Sequence, residues 1–418
     1  MVLTNCILLI YVTRSKNISK SKQWRKQMTF RERVLGMFVG VAYGDALGAT
    51  IEKLSHDEIV EKYGRIETYK MDWHKAQWPP EDRKHRVRGH GIFTDDTLMT
   101  MALMEVYNKE KRHLDAYDMA NEFVNQIYYT KRYIPELERI SNIHERLFVP
   151  EQFIFLRHAL ANCEPREGGI GNMVNCGAAM YIAPIAAVNA MQPMKAYNEA
   201  IAFAQGHQNS YGLEAAGVLA ACIAEAYKPE VTIEDILDVA IRVAKDGTKM
   251  AITSLLELAR ELRPKKNDRS YVVQALQKAI KPYSPMGDDV NRSPQKLGKP
   301  SNHYTPSRLL SIEELPVALF YIALHEGDFE ESILDGVNSG RDTDSIGVMI
   351  GAILGALNGP SIVPTEYITD IEHVNQYPLR EIGQRFAITA EQIIRQDICH
   401  EEQWIEQMSR QLGEEVDE

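Results

Sequence analysis

The chain has 418 residues, 44% of them hydrophobic and 25% charged. That balance belongs to a globular protein with enough apolar side chains for a large core, and it excludes disordered, collagenous and small disulfide-stapled classes. Lys and Arg number 47 against 58 Asp and Glu, a formal net charge of −11, so a broadly basic nucleic-acid-binding surface is not expected.

Residues 3–12 are apolar, but the run is too short to span a bilayer. It lacks a basic segment before it and a small-residue cleavage site after it, and it leads into the basic stretch 14–26. Residues 1–27 are therefore expected to be an extension outside the fold, with 28–418 forming a single helical domain and no membrane contact. Cys6, Cys163, Cys176, Cys222 and Cys399 lie far apart with no C-x-x-C pair, which suits neither a zinc site nor a disulfide framework and points to a reducing, cytoplasmic setting.

From Arg31 onward the dominant period is helical, as in 119–128, 152–161, 178–190, 196–204, 213–227, 233–244, 250–262, 312–324 and 390–408. Strand signals are almost absent, with the alternation at 66–71 as the one modest candidate. The expected class is all-α. Two polar stretches interrupt the pattern and read as long loops: 72–91, with Trp73, Trp78 and the basic run Arg83 to Arg88, and the proline-rich 282–306. The basic run is either a solvated face or a hold on an anionic substrate.

Gly36, Gly40, Gly44 and Gly48 recur at intervals of four, as do Gly347, Gly351, Gly355 and Gly359. On a helix this spacing stacks the glycines into one stripe. Each interior glycine costs roughly 1 kcal/mol relative to alanine, and close helix-on-helix approach is the compensation that accounts for several in one helix. Two buried central helices are predicted.

Each ladder is joined to carboxylates. The first runs into Asp45 and then Glu52; Thr94-Asp95-Asp96-Thr97 opens a helix over 98–107; Asp342-Thr343-Asp344-Ser345 opens the second ladder. Capping and the helix macrodipole account for one carboxylate at a helix start, and less well for two close together on two occasions. Clustered aspartates with hydroxyl neighbours and no Cys or His nearby are what hard divalent cations take as ligands, Mg²⁺ first among them.

With G-D-A-L-G at 44–48, T-D-D-T at 94–97 and G-R-D-T-D-S at 340–345, in that order, the chain resembles the ADP-ribosylglycohydrolase family, hydrolases that include those removing ADP-ribose from modified arginine or serine. The likeness runs from about residue 29 to 359. It implies an all-α bundle around two Mg²⁺ ions, with Mn²⁺ as a substitute. It also implies that Thr94, Asp95, Asp96, Asp342, Asp344 and Ser345 are metal ligands, and that Glu52 lies beside the metals as ligand or base. Asp95 and Asp96 are the competing choices for the base, and Asp45 is expected to be a structural hydrogen bonder at a helix terminus.

A second landmark is the glycine-rich segment 168–180. A loop of this kind offers backbone N–H groups to a pyrophosphate, although an ordinary interhelical turn has the same composition. The resemblance implies that Gly171, Asn172, Met173, Val174 and Asn175 contact the diphosphate and distal ribose, and that His207 lies near the substrate. Departures from the family pattern are Ser345 in place of Thr, Tyr181 in place of Arg, Gly206 in place of Thr, and 174–176 in place of G-N-G.

The implied chemistry is hydrolysis at ribose C1 through an oxocarbenium-like transition state. The substrate would be an ADP-ribosylated protein or a small ADP-ribosyl or nucleoside compound. Two competing readings are a glycohydrolase of small nucleosides or nucleotides and a non-catalytic, crystallin-like member of the fold. The second would show loss of metal-ligand carboxylates, and none is lost here. A magnesium phosphohydrolase would carry His-Asp clusters, which the sequence lacks.

Overall fold

The computed structural model describes residues 28–172, 176–283 and 313–413. Helices of eight or more residues are α1 (Phe30–Gly48), α2 (His56–Tyr63), α3 (Asp95–Glu110), α4 (Val149–Ala161), α5 (Pro193–Ala204), α6 (Ser210–Ala226) and α7 (Ile233–Val243). They continue with α8 (Asp246–Leu262), α9 (Arg269–Ile280), α10 (Glu314–Leu324), α11 (Phe329–Asn338), α12 (Thr343–Asn358), α13 (Thr365–Asn375) and α14 (Leu379–Leu412). The all-α expectation holds. No described helix is long and apolar enough to cross a membrane.

The two glycine ladders face each other. Gly36 meets Gly355 and Gly359, Gly40 meets Gly351, Gly44 meets Gly347, and Gly48 meets Thr343, so α1 and α12 run antiparallel in the centre of the core. A Cβ on any of the first three would overlap the partner helix backbone. Usual interaxial distances are about 8–10 Å and depend on the side chains at the contact, so glycine on both sides permits the close end of that range. The antiparallel register has a functional consequence: it brings the C-terminus of α1 to the N-terminus of α12, where the Thr343 hydroxyl donates to the Gly48 carbonyl at 2.8 Å.

α1 starts where the sequence places it, behind a capping box of Thr29 and Glu32. The expected helix over 178–190 is broken into a tight turn, Ala179–Tyr181, and a short helix, Ala183–Val188, with a proline in its first turn. That proline lacks the N–H a continuous helix would need there. The stretch 119–128 forms two wide, π-type turns, Met119–Phe123 and Asn125–Tyr129.

No strand forms at 66–71. The Ile66 N–H donates to the Asn338 side-chain oxygen and the Asn338 amide donates to the Ile66 carbonyl, both at 2.8 Å, so a side chain takes the backbone groups a strand partner would need. The sheet among the described residues is a small hairpin, β1 (Arg132–Ile134) against β2 (Arg139–Ser141), with Arg132 opposite Ser141. The expected extension 1–27 and nearly all of the 282–306 loop lie outside the described residues.

Candidate active site

Three helix ends converge. Asp45, near the C-terminus of α1, accepts the N–H of Thr94 at 2.9 Å, and the N–H and hydroxyl of Thr97 at 3.0 and 2.5 Å. One buried carboxylate therefore caps the first turn of α3 and pins it to the end of α1, the structural role expected of Asp45. The N-terminus of α12 arrives through the glycine ladder. Glu52, four residues beyond α1, completes the corner.

Five candidate ligands are brought together and buried: Glu52 is 9% exposed, Asp95 4%, Asp96 2%, Asp342 8% and Asp344 3%, which leaves Glu52 the most open of them. Carboxylate oxygens of Glu52, Asp342 and Asp344 lie within 4.8 Å of one another. The Ser345 hydroxyl donates to Asp96 at 3.0 Å and joins the α12 cluster to the α3 cluster. The Thr94 hydroxyl reaches the second Asp96 oxygen at 3.3 Å.

Such crowding is electrostatically costly. Burial, then the neighbouring charges of Asp45, Asp95 and Asp342, push the Asp96 carboxyl well above the usual range. Burial, then Glu52, Asp96 and Asp342, do the same to Asp344. A cluster of this kind calls for added positive charge. The donors are all oxygen, carboxylate and hydroxyl, which suits a hard divalent cation such as Mg²⁺ or Mn²⁺. The residues present thus fit the ions that the family resemblance implies. One softer atom lies at the edge, Cys176 Sγ, 3.8 Å from Asp342.

Part of the compensation comes from arginines the sequence did not place at the carboxylates, one of them from the run expected to be a solvated face or a hold on an anionic substrate. Arg88, the last residue of the basic run, turns inward. Its guanidinium contacts Glu52 and Glu136 and lies 3.8 Å from Asp344. Arg146 contacts Asp95 and Glu136. Burial works to raise the Glu136 carboxyl, but Arg146, Arg88 and Arg86 outweigh it and hold it at about 2. The rest of the run divides: Lys84 and His85 are exposed, and Arg83 and Arg86 are half-buried. The sequence pattern does not single out Arg88, since an Arg86-Val87-Arg88 alternation puts both arginines on the face opposite Val87.

The glycine-rich segment packs against the turn that carries His207. Gly169 sits against the carbonyls of Gln205 and Gln208, where no Cβ would fit. The Asn172 amide donates to the His207 carbonyl at 2.8 Å. Gly171 has φ +89°, and no atom of the described residues lies within 4 Å of where a Cβ would stand. Met173, Val174 and Asn175 lie outside the described residues. His207 is fully buried, stacked on Tyr181, with its Nδ1 2.8 Å from the Tyr181 hydroxyl and its Nε2 3.6 Å from Glu151. Burial, then His158, lowers its pKa to about 3, so the ring is neutral. The structure thus places the His207 ring in an aromatic cluster with Tyr181 and Phe155, and its carbonyl at the glycine-rich loop.

The ADP-ribosylglycohydrolase family pattern matches residues 26–403. The YegU protein of Escherichia coli (strain K12) is 23% identical over 347 residues, 82% of this chain and 93% of that protein. ADP-ribosylhydrolase ARH3 of Gallus gallus is 24% identical over 343 residues, 80% of this chain and 88% of that protein. The ADP-ribosyl-[dinitrogen reductase] glycohydrolase of Rhodospirillum rubrum is 37% identical over a shorter 92 residues, 22% of this chain and 27% of that protein. Among solved structures, an ADP-ribosylglycohydrolase-related protein complex superposes with a TM-score of 0.55 at 20% identity, covering 87% of this chain and 99% of that one. That last likeness speaks to the fold.

Proposed function

Because the chain belongs to the ADP-ribosylglycohydrolase family, a family of glycosidic-bond hydrolases, we propose that it is a magnesium-dependent hydrolase that cleaves the bond at ribose C1 of an ADP-ribosylated substrate. The observation that carries this reading is the meeting of Glu52, Asp96, Asp342 and Asp344 where the end of α1 joins the first turns of α3 and α12.

Glu52, Thr94, Asp95, Asp96, Asp342, Asp344 and Ser345 would hold two Mg²⁺ ions, with Mn²⁺ as substitute. When bound, the ions supply Lewis-acid attraction for the ribose hydroxyls and lower the pKa of a nearby water. The protein's own groups do the remainder. Glu52, the most open of the five carboxylates, accepts the proton of the water whose oxygen bonds to C1 as the bond from C1 to the leaving nitrogen or oxygen breaks. The leaving atom keeps the electron pair and takes up a proton in exchange, which returns Glu52 or the solvent to its starting state. The surrounding aspartates favour the positive charge that develops on the sugar ring in the transition state. Gly171 offers an unobstructed backbone to the diphosphate, and Asn172 is held for contact by the His207 carbonyl.

The test is a panel of peptides ADP-ribosylated on arginine or serine, small ADP-ribosyl compounds and plain nucleosides, assayed with Mg²⁺ and with chelator. Turnover of ADP-ribosyl substrates that disappears with chelator supports the reading. Hydrolysis of nucleosides alone, or turnover indifferent to chelation, overturns it.

A further inference from the structure

Glu52 and Asp95 stand on segments far apart in the chain, yet each is held by a buried arginine, and the two arginines meet on one glutamate. Arg88 contacts Glu52 through Nη1 and donates from Nε to Glu136 Oε1 at 2.6 Å. Arg146 contacts Asp95 through Nη1, donates from Nε to Glu136 Oε2, and reaches Oε1 from Nη2 at 3.3 Å. The charges thus alternate without a break from Glu52 through Arg88, Glu136 and Arg146 to Asp95. Glu136 is 0% exposed, Arg146 5% and Arg88 8%.

The backbone is arranged around this chain of charges. Glu136 lies in the turn Pro135–Leu137 at the tip of the β1–β2 hairpin, and its carbonyl accepts the Val87 N–H at 2.8 Å, beside Arg88. Arg86, on the other side of Val87, donates from its side chain to the Arg146 carbonyl. The hairpin tip, the 83–88 run and the segment around Arg146 are therefore tied to one another and to the site. Buried ion pairs of this sort do little for net stability, since desolvation cancels most of the Coulombic gain. What the arrangement does supply is geometry. A guanidinium is a rigid planar fork that joins two carboxylates at fixed positions, which a lysine cannot do.

We propose that Arg88, Glu136 and Arg146 form a positioning clamp that sets Glu52 and Asp95 at the separation and orientation the divalent ions require. The clamp rests on the reading of the site given under Proposed function. All three are positioning residues, since each acts through Glu52 or Asp95 rather than on the substrate.

The sign of one effect separates a clamp from mere charge balance. Arg88→Met or Arg146→Met removes a positive charge beside a cation site, and by Coulomb's law alone this tightens cation binding. A clamp requires the opposite, because loosening a group that orients a metal ligand typically costs about 10–100-fold in metal affinity. The experiment is a titration of the full-length chain with Mn²⁺, read by electron paramagnetic resonance of the free ion. Expected are affinities about 10–100-fold weaker in Arg88→Met and Arg146→Met, the two variants whose sign decides between clamp and charge balance; Glu136→Gln, which removes a negative charge, should also bind more weakly. Arg88→Lys and Arg146→Lys, which keep the charge and lose the fork, should fall between the methionine variants and the parent. The lysine variants carry the same test if a methionine variant does not fold. Folded variants that bind Mn²⁺ as tightly as the parent, or more tightly, overturn the clamp even if they melt earlier. If Asp344→Ala loses Mn²⁺ while the clamp variants keep it, the clamp alone fails; if the parent takes up no Mn²⁺, the metal-site reading fails and the clamp with it.

Discussion

Gly40 of α1 and Gly351 of α12 meet so closely that a Cβ on either would overlap the carbonyl oxygen of the other. Gly40→Ala would gain about 1 kcal/mol of helix propensity. Against that stands overpacking, at about 1–3 kcal/mol in ordinary cores, and here the obstacle is the backbone of a buried helix, which cannot rotate away as a side chain can. The expected outcome is a melting temperature several degrees below the parent, with Gly351→Ala behaving alike. The double variant should lose less than the sum of the two, because the first substitution already forces the helices apart. A Gly40→Ala protein that melts at or above the parent temperature would contradict the close pairing.

Asp344 and Thr94 both sit at helix starts in the site, and their removal should act on stability in opposite directions. Burial, then Glu52, Asp96 and Asp342, raises the Asp344 carboxyl, so Asp344→Ala relieves repulsion in the metal-free protein and is expected to raise its melting temperature. Thr94 caps α3, accepting the Asp96 N–H, and Thr94→Ala should cost about 1 kcal/mol. Metal affinity should fall further for Asp344→Ala than for Thr94→Ala. Calorimetric titration with Mg²⁺ checks the affinities, and thermal melts with and without the ion check the stabilities.

Apart from Glu52, which stands alone beyond the C-terminus of α1 and was reached through the family resemblance, the carboxylates and hydroxyls of the candidate site that were legible in the sequence are close together in the chain at the start of a periodic helix. Thr94, Asp95 and Asp96 open α3, Asp342, Asp344 and Ser345 flank the start of α12, and the glycine ladders mark the two helices that bring those starts together. Arg88, Glu136 and Arg146 were not legible, because they come from a loop, a hairpin tip and a segment between short turns, where no period says which way a side chain points. The helices α2, α9, α11 and α13 also escaped. Length does not account for α9, α11 and α13, which at ten to twelve residues are about as long as α7 and α10, and those the sequence did show. For α2, at eight residues, barely two turns were present to establish a repeat. The alternation at 66–71 misled for the opposite reason: two periods of apparent pattern were outweighed by the Asn338 side chain.

His113 ties α14 to the body. Its Nδ1 lies 2.5 Å from Glu199 and its Nε2 2.8 Å from Asp397. The hydrogen bond to Glu199 is the largest influence on the ring, and it raises the pKa to about 9. An unfolded histidine titrates near 6.5. A folded-state pKa above the unfolded value means that the contribution to stability is complete below about pH 6.5 and is lost as pH rises through about 9. Thermal melts across that window should show the parent losing stability relative to His113→Gln, with the two curves approaching one another above pH 9. A difference between them that is constant with pH would mean the ring is not protonated in the fold.

Glu52 is the residue on which the catalytic reading turns, and the structure gives it cationic and anionic neighbours with different implications. Arg88 contacts it, while one of its oxygens lies within 4.8 Å of oxygens of Asp342 and Asp344. As the base for the attacking water, it should be separable from binding: Glu52→Gln keeps the side-chain volume and a hydrogen-bond acceptor for Arg88, so ADP-ribose affinity should stay within a few-fold of the parent. The hydrolysis rate should fall by roughly 10²- to 10⁴-fold, the usual worth of a positioned general base. If Glu52 acts mainly as a metal ligand, rate and Mn²⁺ affinity should fall together, and raising the ion concentration should restore part of both. Single-turnover hydrolysis measured beside Mn²⁺ titration distinguishes the two. A Glu52→Gln protein that hydrolyses ADP-ribosyl substrate at the parent rate removes Glu52 from both roles. The base would then be Asp95, which Arg146 engages much as Arg88 engages Glu52, or Asp96, whose side chain among the described residues accepts from the hydroxyls of Thr94 and Ser345.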